Sequence, residues 1–158
     1  LQVIVQQADT IRLLNNHLQT TSVSQNRKKW ERELAADNTR REAQAVQDAA
    51  ETLHENFVKR AFQTDSICQL ATASPHPVLV CGDFNSLPSS YTYHRLSESL
   101  KDGFKTGGHG YMYTYRYGKR MLRIDYAFHS PELECIDYYS PNLDLCSDHN
   151  PVIFTVKY

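Results

Sequence analysis

Two polar side chains, Asp83 and Asn85, follow the most continuous apolar run of the chain, which covers residues 78–81. They belong to the segment Gly-Asp-Phe-Asn at 82–85, directly after what reads as a strand buried on both faces. Ligands of α/β proteins bind beyond the carboxyl ends of such strands. A carboxylate and an amide two positions apart can point the same way from an extended loop, where they suit a hard cation and a phosphate oxygen. The alternative is an ordinary turn, because turns also favour Gly, Asp and Asn.

A second carboxylate, Asp125, shares one face of an alternating apolar–polar segment with Arg123. If residues 118–119 form the turn of a hairpin, Thr114 lies opposite Arg123 and shares that face with Asp125, diagonally across the two strands. A carboxylate within a sheet needs a partner. That partner is either a catalytic group or, as the alternative, the guanidinium of Arg123 or Arg116 in a salt bridge.

Two histidines complete the set of candidate groups. His149 stands next to Asp148 in the segment Ser-Asp-His-Asn-Pro at 147–151, in a loop that enters a strand. Such a pair can place one side chain on a metal ion and the other on a water molecule, whereas the alternative is a capped loop with a solvent-facing histidine. His17 follows Asn16 at the end of a predicted strand, and a lone histidine there is more often structural.

The elements that must position these groups follow from the hydrophobic pattern. The predicted strands cover residues 1–5, 11–14, 78–81, 111–128 as a hairpin, and 151–156. Helix formers without Gly or Pro predict a long helix over 24–72, and a short helix is predicted over 90–100. Strands interleaved with helices predict an α/β fold in which helices flank the sheet.

The long helix carries apolar residues at helical spacing, namely Ala43, Val46, Ala50, Leu53 and Phe57. We interpret the polar remainder as a solvated face. A partner-binding arm is the alternative.

In order along the chain, four motifs closely resemble the successive motifs of the endonuclease/exonuclease/phosphatase superfamily. They are Asn-His-Leu at 16–18, Gly-Asp-Phe-Asn at 82–85, Arg-Ile-Asp-Tyr at 123–126 and Ser-Asp-His-x-Pro at 147–151. The resemblance implies a deoxyribonuclease-like four-layer α/β sandwich, with two mixed sheets packed face to face and helices outside. Residues 1–158 would form the C-terminal portion of that single domain, with a long helical insertion.

The resemblance also implies roles at the matching positions. His149 is similar to the histidine that activates the attacking water or contacts the reacting phosphate, and Asp125 to the carboxylate that orients it. The implied catalytic residues are His149, Asp125, His17, Asp83 and Asn85, the implied substrate contacts are Asn85, Thr114 and Arg123, and the implied metal ligands are Asp148 and Asp83.

These roles predict a metal-dependent phosphoester hydrolase, either a phosphodiesterase, a nuclease or a phosphatase, in which a His/Asp-activated water attacks phosphorus. Carboxylate, amide and water ligands suit Mg²⁺ or Mn²⁺ better than zinc. The net charge of -1 lacks the basic excess of proteins that grip long nucleic acid, so it favours a small phosphoester over long DNA. The alternative function is a catalytically silent interaction module that keeps the fold and uses the long helix as a binding face.

The chain also departs from the family pattern. Family members carry an early strand with an Asn and a helix-linked Glu that is the main metal ligand, and neither motif stands before residue 11. We therefore expect an absent N-terminal half, weak metal binding and no activity from this chain alone. An exposed sheet edge would pair with the missing half or with a second copy.

Composition places the chain in a broad class without deciding its compartment. Hydrophobic residues make up 41% and charged residues 22%, as in ordinary soluble domains. No apolar run approaches the about 18 residues of a membrane span, and the first residues lack the pattern of a signal peptide. The four cysteines show neither zinc-knuckle spacing nor a disulfide framework.

Overall fold

In this computed structural model, residues 10–21, 39–117, 121–143 and 146–158 are described. The helices are α1 (Thr39–Thr72), α2 (Tyr91–Ser97) and α3 (Gly103–Gly107). The strands are β1 (Arg12–His17), β2 (Val78–Asp83), β3 (Lys101–Asp102), β4 (Asp125–His129), β5 (Glu134–Tyr139) and β6 (Ile153–Lys157). Among these helices, none is both long enough and apolar enough to cross a membrane.

The main sheet has the strand order β1-β2-β4-β3. Strand β1 runs parallel to β2, whereas β4 is antiparallel to both β2 and β3. Strands β5 and β6 form a separate antiparallel pair. The predicted α/β class, with a mixed sheet and flanking helices, is therefore confirmed.

The central strands β2 and β4 are buried on both faces, which the sequence predicted for β2 from its continuous apolar run. Val80 and Phe128 enter a core that they share with α1 and α2. Their neighbours Cys81 and Ala127 enter a second core on the opposite face, shared with β5 and β6. Helices, the main sheet and the two-stranded sheet thus form successive layers in the described part of the chain.

Several predicted elements keep their place with small changes of boundary. The predicted strand at 11–14 extends to His17 as β1, and the helix at 90–100 shortens to α2, whose N-cap Ser90 accepts a hydrogen bond from the Tyr93 amide. Helix α1 ends at Thr72, shortly before the first of two prolines, since a residue that precedes proline disfavours helix. The predicted strand at 1–5 and helix at 24–38 lie outside the described residues.

The predicted regular hairpin at 111–128 is wrong in its first strand. Residues 111–117 form only isolated bridges, although the bridge between Tyr115 and Leu122 keeps the predicted register. The reason is competition for backbone groups, because the Arg116 amide donates to the Asp148 carbonyl at 2.8 Å. Segment 114–116 therefore also pairs with the loop that carries His149.

Strand β5 has no counterpart among the predicted elements. Its register against β6 shifts between Cys135 and Asp137, which interrupts the simple alternation that marks a strand in a sequence.

The apolar spacing in the long helix did not identify its buried face. Val46 is 59% exposed and Phe57 is 54% exposed. The buried residues of α1 between positions 56 and 71 are instead Asn56, Arg60, Thr64, Ile67, Cys68 and Ala71. Two polar members of this face, Asn56 and Arg60, donate to backbone carbonyls of the segment after β1, whereas Thr64 donates to the Arg60 carbonyl and to the Thr92 hydroxyl.

At Gly82 the backbones of β1 and β2 leave no room for a side chain. Its φ is +134°, and a Cβ at this position would lie 1.8 Å from the Asn16 carbonyl oxygen. Both facts exclude a side chain, because backbone atoms must move to admit it.

We expect Gly82→Ala to lower the free energy of unfolding by more than about 3 kcal/mol, since it adds a backbone clash to an unfavourable φ. Gly110→Ala is the matched control, because Gly110 also has a positive φ but open space around it. It should cost only about 1 kcal/mol. Urea unfolding followed by circular dichroism measures both, and equal losses would contradict the proposed clash.

Candidate active site

Three candidate residues stand in one row across the main sheet. His17 pairs with Asp83 in the parallel ladder, and Asp83 pairs with Asp125 in the antiparallel one. Directly opposite residues of neighbouring strands, which lie about 4.8 Å apart, point to the same face. The His17 Nε2 atom is accordingly 3.6 Å from the Asp83 Oδ2 atom.

Successive side chains at the end of β2 point alternately towards the site and towards the core. Phe84 is fully buried and packs edge-on against Tyr126 at a centroid distance of 5.6 Å. Asp83 and Asn85, on either side, both line the cleft. The predicted common direction of these two polar side chains follows from the anchoring of Phe84.

Asn85 adopts a left-handed conformation with a φ of 47°, which asparagine tolerates better than most residues. Its backbone amide donates to Asp83 Oδ1 at 2.8 Å. Its side-chain amide donates to the Leu18 carbonyl at 3.1 Å and to Asp83 Oδ2 at 3.2 Å. Asn85 thus ties the end of β2 to the end of β1.

His149 reaches this row from the loop at 146–151. Its Nδ1 atom is 2.8 Å from the Asp125 Oδ2 atom, so the carboxylate accepts a hydrogen bond from Nδ1–H. The Nε2 atom lies 3.9 Å from Asp83 Oδ2. Asp125 therefore selects the tautomer that presents Nε2 towards Asp83.

The charges of the site shift two ionisation equilibria. The hydrogen bond that His149 donates to Asp125 raises the pKa of His149, against the opposing effect of burial. Burial, reinforced by the charge of Asp125, raises the pKa of Asp83, while the bond from the Asn85 amide opposes the shift.

The raised pKa of His149 also links the site to stability. A histidine whose folded-state pKa exceeds its ordinary value of 6.5 stabilises the fold fully below that value. This contribution is lost as the pH rises through the folded-state pKa.

Thr114 holds both members of the Asp125–His149 pair in place. Its side chain is fully buried, and its Oγ1 atom accepts hydrogen bonds from the amides of Ile124 and Asp125, each at 3.0 Å. Its carbonyl accepts from the amide of Asn150 at 2.7 Å. Thr114 lies beside Asp125 as the register predicted, but it contacts backbone and does not line the cleft.

Arg123 is a second predicted substrate contact that does not line the cleft. The structure buries its guanidinium, which makes a two-pronged ion pair with Asp102 at 3.1 and 2.7 Å. Its partner is therefore Asp102, neither Asp125 nor a ligand in the cleft. Burial tends to lower the pKa of Arg123, but Asp102 outweighs it, so the pKa is raised.

The cleft around these residues has a volume of about 1030 Å³. Six predicted site residues line it, namely His17, Asp83, Asn85, Asp125, Asp148 and His149. Its remaining lining residues, which the sequence did not single out for the site, are Leu18, Gln19, Thr20, Thr21, Gln63, Leu87, Tyr115, Tyr117, Leu122 and Ile124.

Helix α1 shapes one wall of the cleft through polar side chains. Arg60 donates to the Gln19 carbonyl at 2.8 Å, and Gln63 accepts from the Gln19 amide at 2.9 Å. Burial lowers the pKa of Arg60, and the negative charge of Asp83 opposes this shift. The helical period of residues 56, 60, 64, 67 and 71 was the signal that could have identified this face.

A divalent cation fits these residues in the type of its ligands. Asp83, Asp125 and His149 offer ligand atoms that all lie within 4.8 Å of one another. Carboxylate oxygens suit Mg²⁺ or Mn²⁺, whose remaining positions water and phosphate oxygens commonly fill. Asp148 lines the same cleft but is not a member of this cluster, so its role as a metal ligand stays a prediction.

Replacing Thr114 by Val removes the acceptor of two buried amides while keeping the side-chain volume. We expect Thr114→Val to lower the free energy of unfolding by about 1–3 kcal/mol relative to Thr114→Ser, which keeps the hydroxyl. Urea unfolding measures the difference. Hydrogen exchange should accelerate at the Ile124 and Asp125 amides in the valine variant alone, and unchanged exchange would contradict the assigned bonds.

Asp125→Asn should lower the pKa of His149, because the carboxylate that stabilises the imidazolium is replaced by a neutral amide. An NMR titration of the His149 ring proton measures this shift. Asp148→Asn is the control, since Asp148 adds only a weaker, through-space charge effect and should lower the pKa less. A larger fall in the control than in Asp125→Asn would rule out the assigned pairing.

Comparison with known proteins places this geometry in a family. The sequence matches the model of the endonuclease/exonuclease/phosphatase family over residues 21–149. No significant match is found among curated proteins.

Solved structures share the fold over about two thirds of the chain. A conserved protein of unknown function from Enterococcus faecalis is 18% identical, with a TM-score of 0.58, over 64% of this chain and 45% of its own. An endonuclease/exonuclease/phosphatase from Bacteroides vulgatus is 26% identical, with a TM-score of 0.53, over 65% of this chain and 44% of its own. An endonuclease/exonuclease/phosphatase family protein from Leptotrichia buccalis is 20% identical, with a TM-score of 0.51, over 60% of this chain and 42% of its own.

The chain matches less than half the length of each of these structures. The resemblance to this family is confirmed, because the family model covers most of the chain, including three aspartates and the histidine of the last three motifs, and the shared fold is deoxyribonuclease-like. The chain belongs to the endonuclease/exonuclease/phosphatase family.

Proposed function

We propose that this chain carries the Asp–His part of the catalytic site of a metal-dependent phosphoester hydrolase. The observation that supports this most directly is the hydrogen-bonded Asp125–His149 pair, whose free Nε2 atom faces Asp83 in the cleft. The His149 side chain is only 25% exposed, which disfavours the alternative of a solvent-facing histidine in a capped loop.

In the proposed reaction, His149 removes a proton from the attacking water through Nε2. The water oxygen bonds to phosphorus as the P–O ester bond breaks, and the leaving alkoxide takes up a proton. Asp125 makes His149 a stronger base by raising its pKa, and it stabilises the imidazolium that forms. Asp83 and Asn85 position the water and the phosphate, and His17 contacts the phosphate from the β1 side. All these groups are held by strand ends or by direct hydrogen bonds, which limits their motion.

Among the described residues, Asp83 and Asp125 would hold Mg²⁺ or Mn²⁺, with Asp148 as a further candidate. A bound divalent cation supplies positive charge that offsets the charge developing on the phosphoryl oxygens.

We propose a small phosphoester as the substrate in preference to long DNA. The described residues that line the cleft include three aspartates and neither Lys nor Arg. Long polyanions bind through many phosphate contacts with basic side chains, and this lining offers few such contacts. The expected pairing of the chain with a missing half, or with a second copy, stays a prediction.

The test uses the whole protein that contains this chain, with bis(4-nitrophenyl) phosphate as substrate and Mg²⁺ present. We expect His149→Ala to lower kcat/KM by about 10²- to 10⁴-fold, the usual effect of losing a general base. His109→Ala is the control, because His109 is exposed and does not line the cleft, and it should leave the rate unchanged. Chelation of the metal should abolish the hydrolysis.

A folded whole protein without Mg²⁺-dependent hydrolysis would contradict the enzymatic proposal. It would favour the interaction module, whose binding face would include exposed apolar side chains of α1 such as Phe62. The isolated chain remains predicted to be inactive, and measurable activity from it would overturn that prediction alone.

A further inference from the structure

The wall of the cleft beside His149 is aromatic. The Tyr115 ring lies 5.1 Å from the His149 ring at an angle of 62°, and the Tyr117 ring lies 5.9 Å from Tyr115 at 66°. Leu122 and Ile124 line the same region of the cleft. We call these four residues the tyrosine wall.

The opposite wall has a different character. In the main sheet, β1 and β4 flank β2 on its two sides, so Asp83 lies between the segment after β1 and the tyrosine wall. Gln19, Thr20 and Thr21 line the β1 side together with Gln63 of α1. A group bound at Asp83 therefore meets uncharged polar side chains on one side and aromatic rings on the other.

Tyr117 shows the feature expected of a binding platform. It is 65% exposed, although it lines the cleft and contacts the ring of Tyr115. Tyr111 on the same segment is 70% exposed, but it lies outside the cleft lining and its hydroxyl donates to the Met121 carbonyl at 2.6 Å. Of these two exposed tyrosines, only Tyr117 is therefore placed to contact a ligand in the cleft.

We propose that the tyrosine wall is a specificity subsite for a planar ring joined to the reacting phosphate, an inference that rests on the proposed phosphoester hydrolysis. The ring stacks on Tyr117 and contacts Leu122 and Ile124, while the phosphate lies beside His149 and Asp83, whose Nε2 and Oδ2 atoms are 3.9 Å apart. A phenyl ring attached to the ester oxygen and a nucleobase attached through a sugar share this chemistry.

The test measures binding, so it does not depend on turnover. The whole protein in Mg²⁺ is titrated with phenylphosphonate, cyclohexylphosphonate and methylphosphonate, followed by ³¹P NMR. All three carry the same charged group, but only the first carries a planar ring. We expect phenylphosphonate to bind about tenfold more tightly than methylphosphonate, as stacking on one aromatic side chain allows.

Tyr117→Leu should remove most of this preference and leave methylphosphonate binding unchanged. Tyr111→Leu, the matched control, should leave both affinities unchanged. A nucleoside 5′-monophosphate and phenyl phosphate, compared in the same way, distinguish a ring carried by a sugar from one carried by the ester oxygen.

Equal affinity for phenylphosphonate and methylphosphonate, or a Tyr117→Leu variant that keeps the preference, would overturn the subsite. Failure of phenylphosphonate to bind would overturn it as well, and equal binding of the cyclohexyl and phenyl compounds would exclude a requirement for a planar ring. If the protein hydrolyses no phosphoester but still binds phenylphosphonate more tightly than methylphosphonate, only the proposed hydrolysis would be contradicted. If the protein hydrolyses phosphoesters but binds phenylphosphonate and methylphosphonate equally well, only the subsite would be contradicted.

Discussion

The register of β1, β2 and β4 is the constraint on which the site depends. It sets His17, Asp83 and Asp125 in one row, and the same pairing sends Val80 and Phe128 into the helix-side core. Because side chains alternate along a strand, a slip by one residue would turn Asp83 away from the cleft and would send Val80 and Cys81 into each other's core. Burial of the core, at about 1.5–3 kcal/mol for each large apolar side chain, therefore also holds the row of His17, Asp83 and Asp125 in position.

Loops that follow the strands are tied to this row by a small number of buried polar contacts. Thr114 binds the backbone on both sides of the Asp125–His149 pair. The buried Tyr126 hydroxyl donates to the carbonyls of Ser86 and Arg123, which joins the loop after β2 to the start of β4. Each of these contacts fixes a backbone segment next to a residue that lines the cleft.

The long helix has a positional role that its composition conceals. Its Arg60 and Gln63 side chains hold the backbone of Gln19, so this helix sets the width of the cleft opposite the tyrosine wall. Its own exposed face still carries large apolar residues, among them Val46 and Phe57. The same helix thus forms a wall of the site with polar side chains on one face and exposes apolar side chains to solvent on another.

Local patterns in the sequence determined which residue types stand where along the chain. The apolar run before Asp83, the helical composition up to Thr72 and the order of the four motifs were all readable, because each depends on neighbours close in sequence. The pairing of Thr114 with the Asp125 strand was readable as well, since a hairpin register follows from the position of its turn.

Only the tertiary structure decided which groups meet across long stretches of chain. Arg123 pairs with Asp102 and Arg60 binds Gln19, 21 and 41 positions away, and no periodic pattern encodes such partners. The same holds for the buried face of α1 and for Tyr115 beside His149. Amphipathic spacing defines a stripe on a helix, but the neighbour that covers it is chosen by the packing of the whole domain.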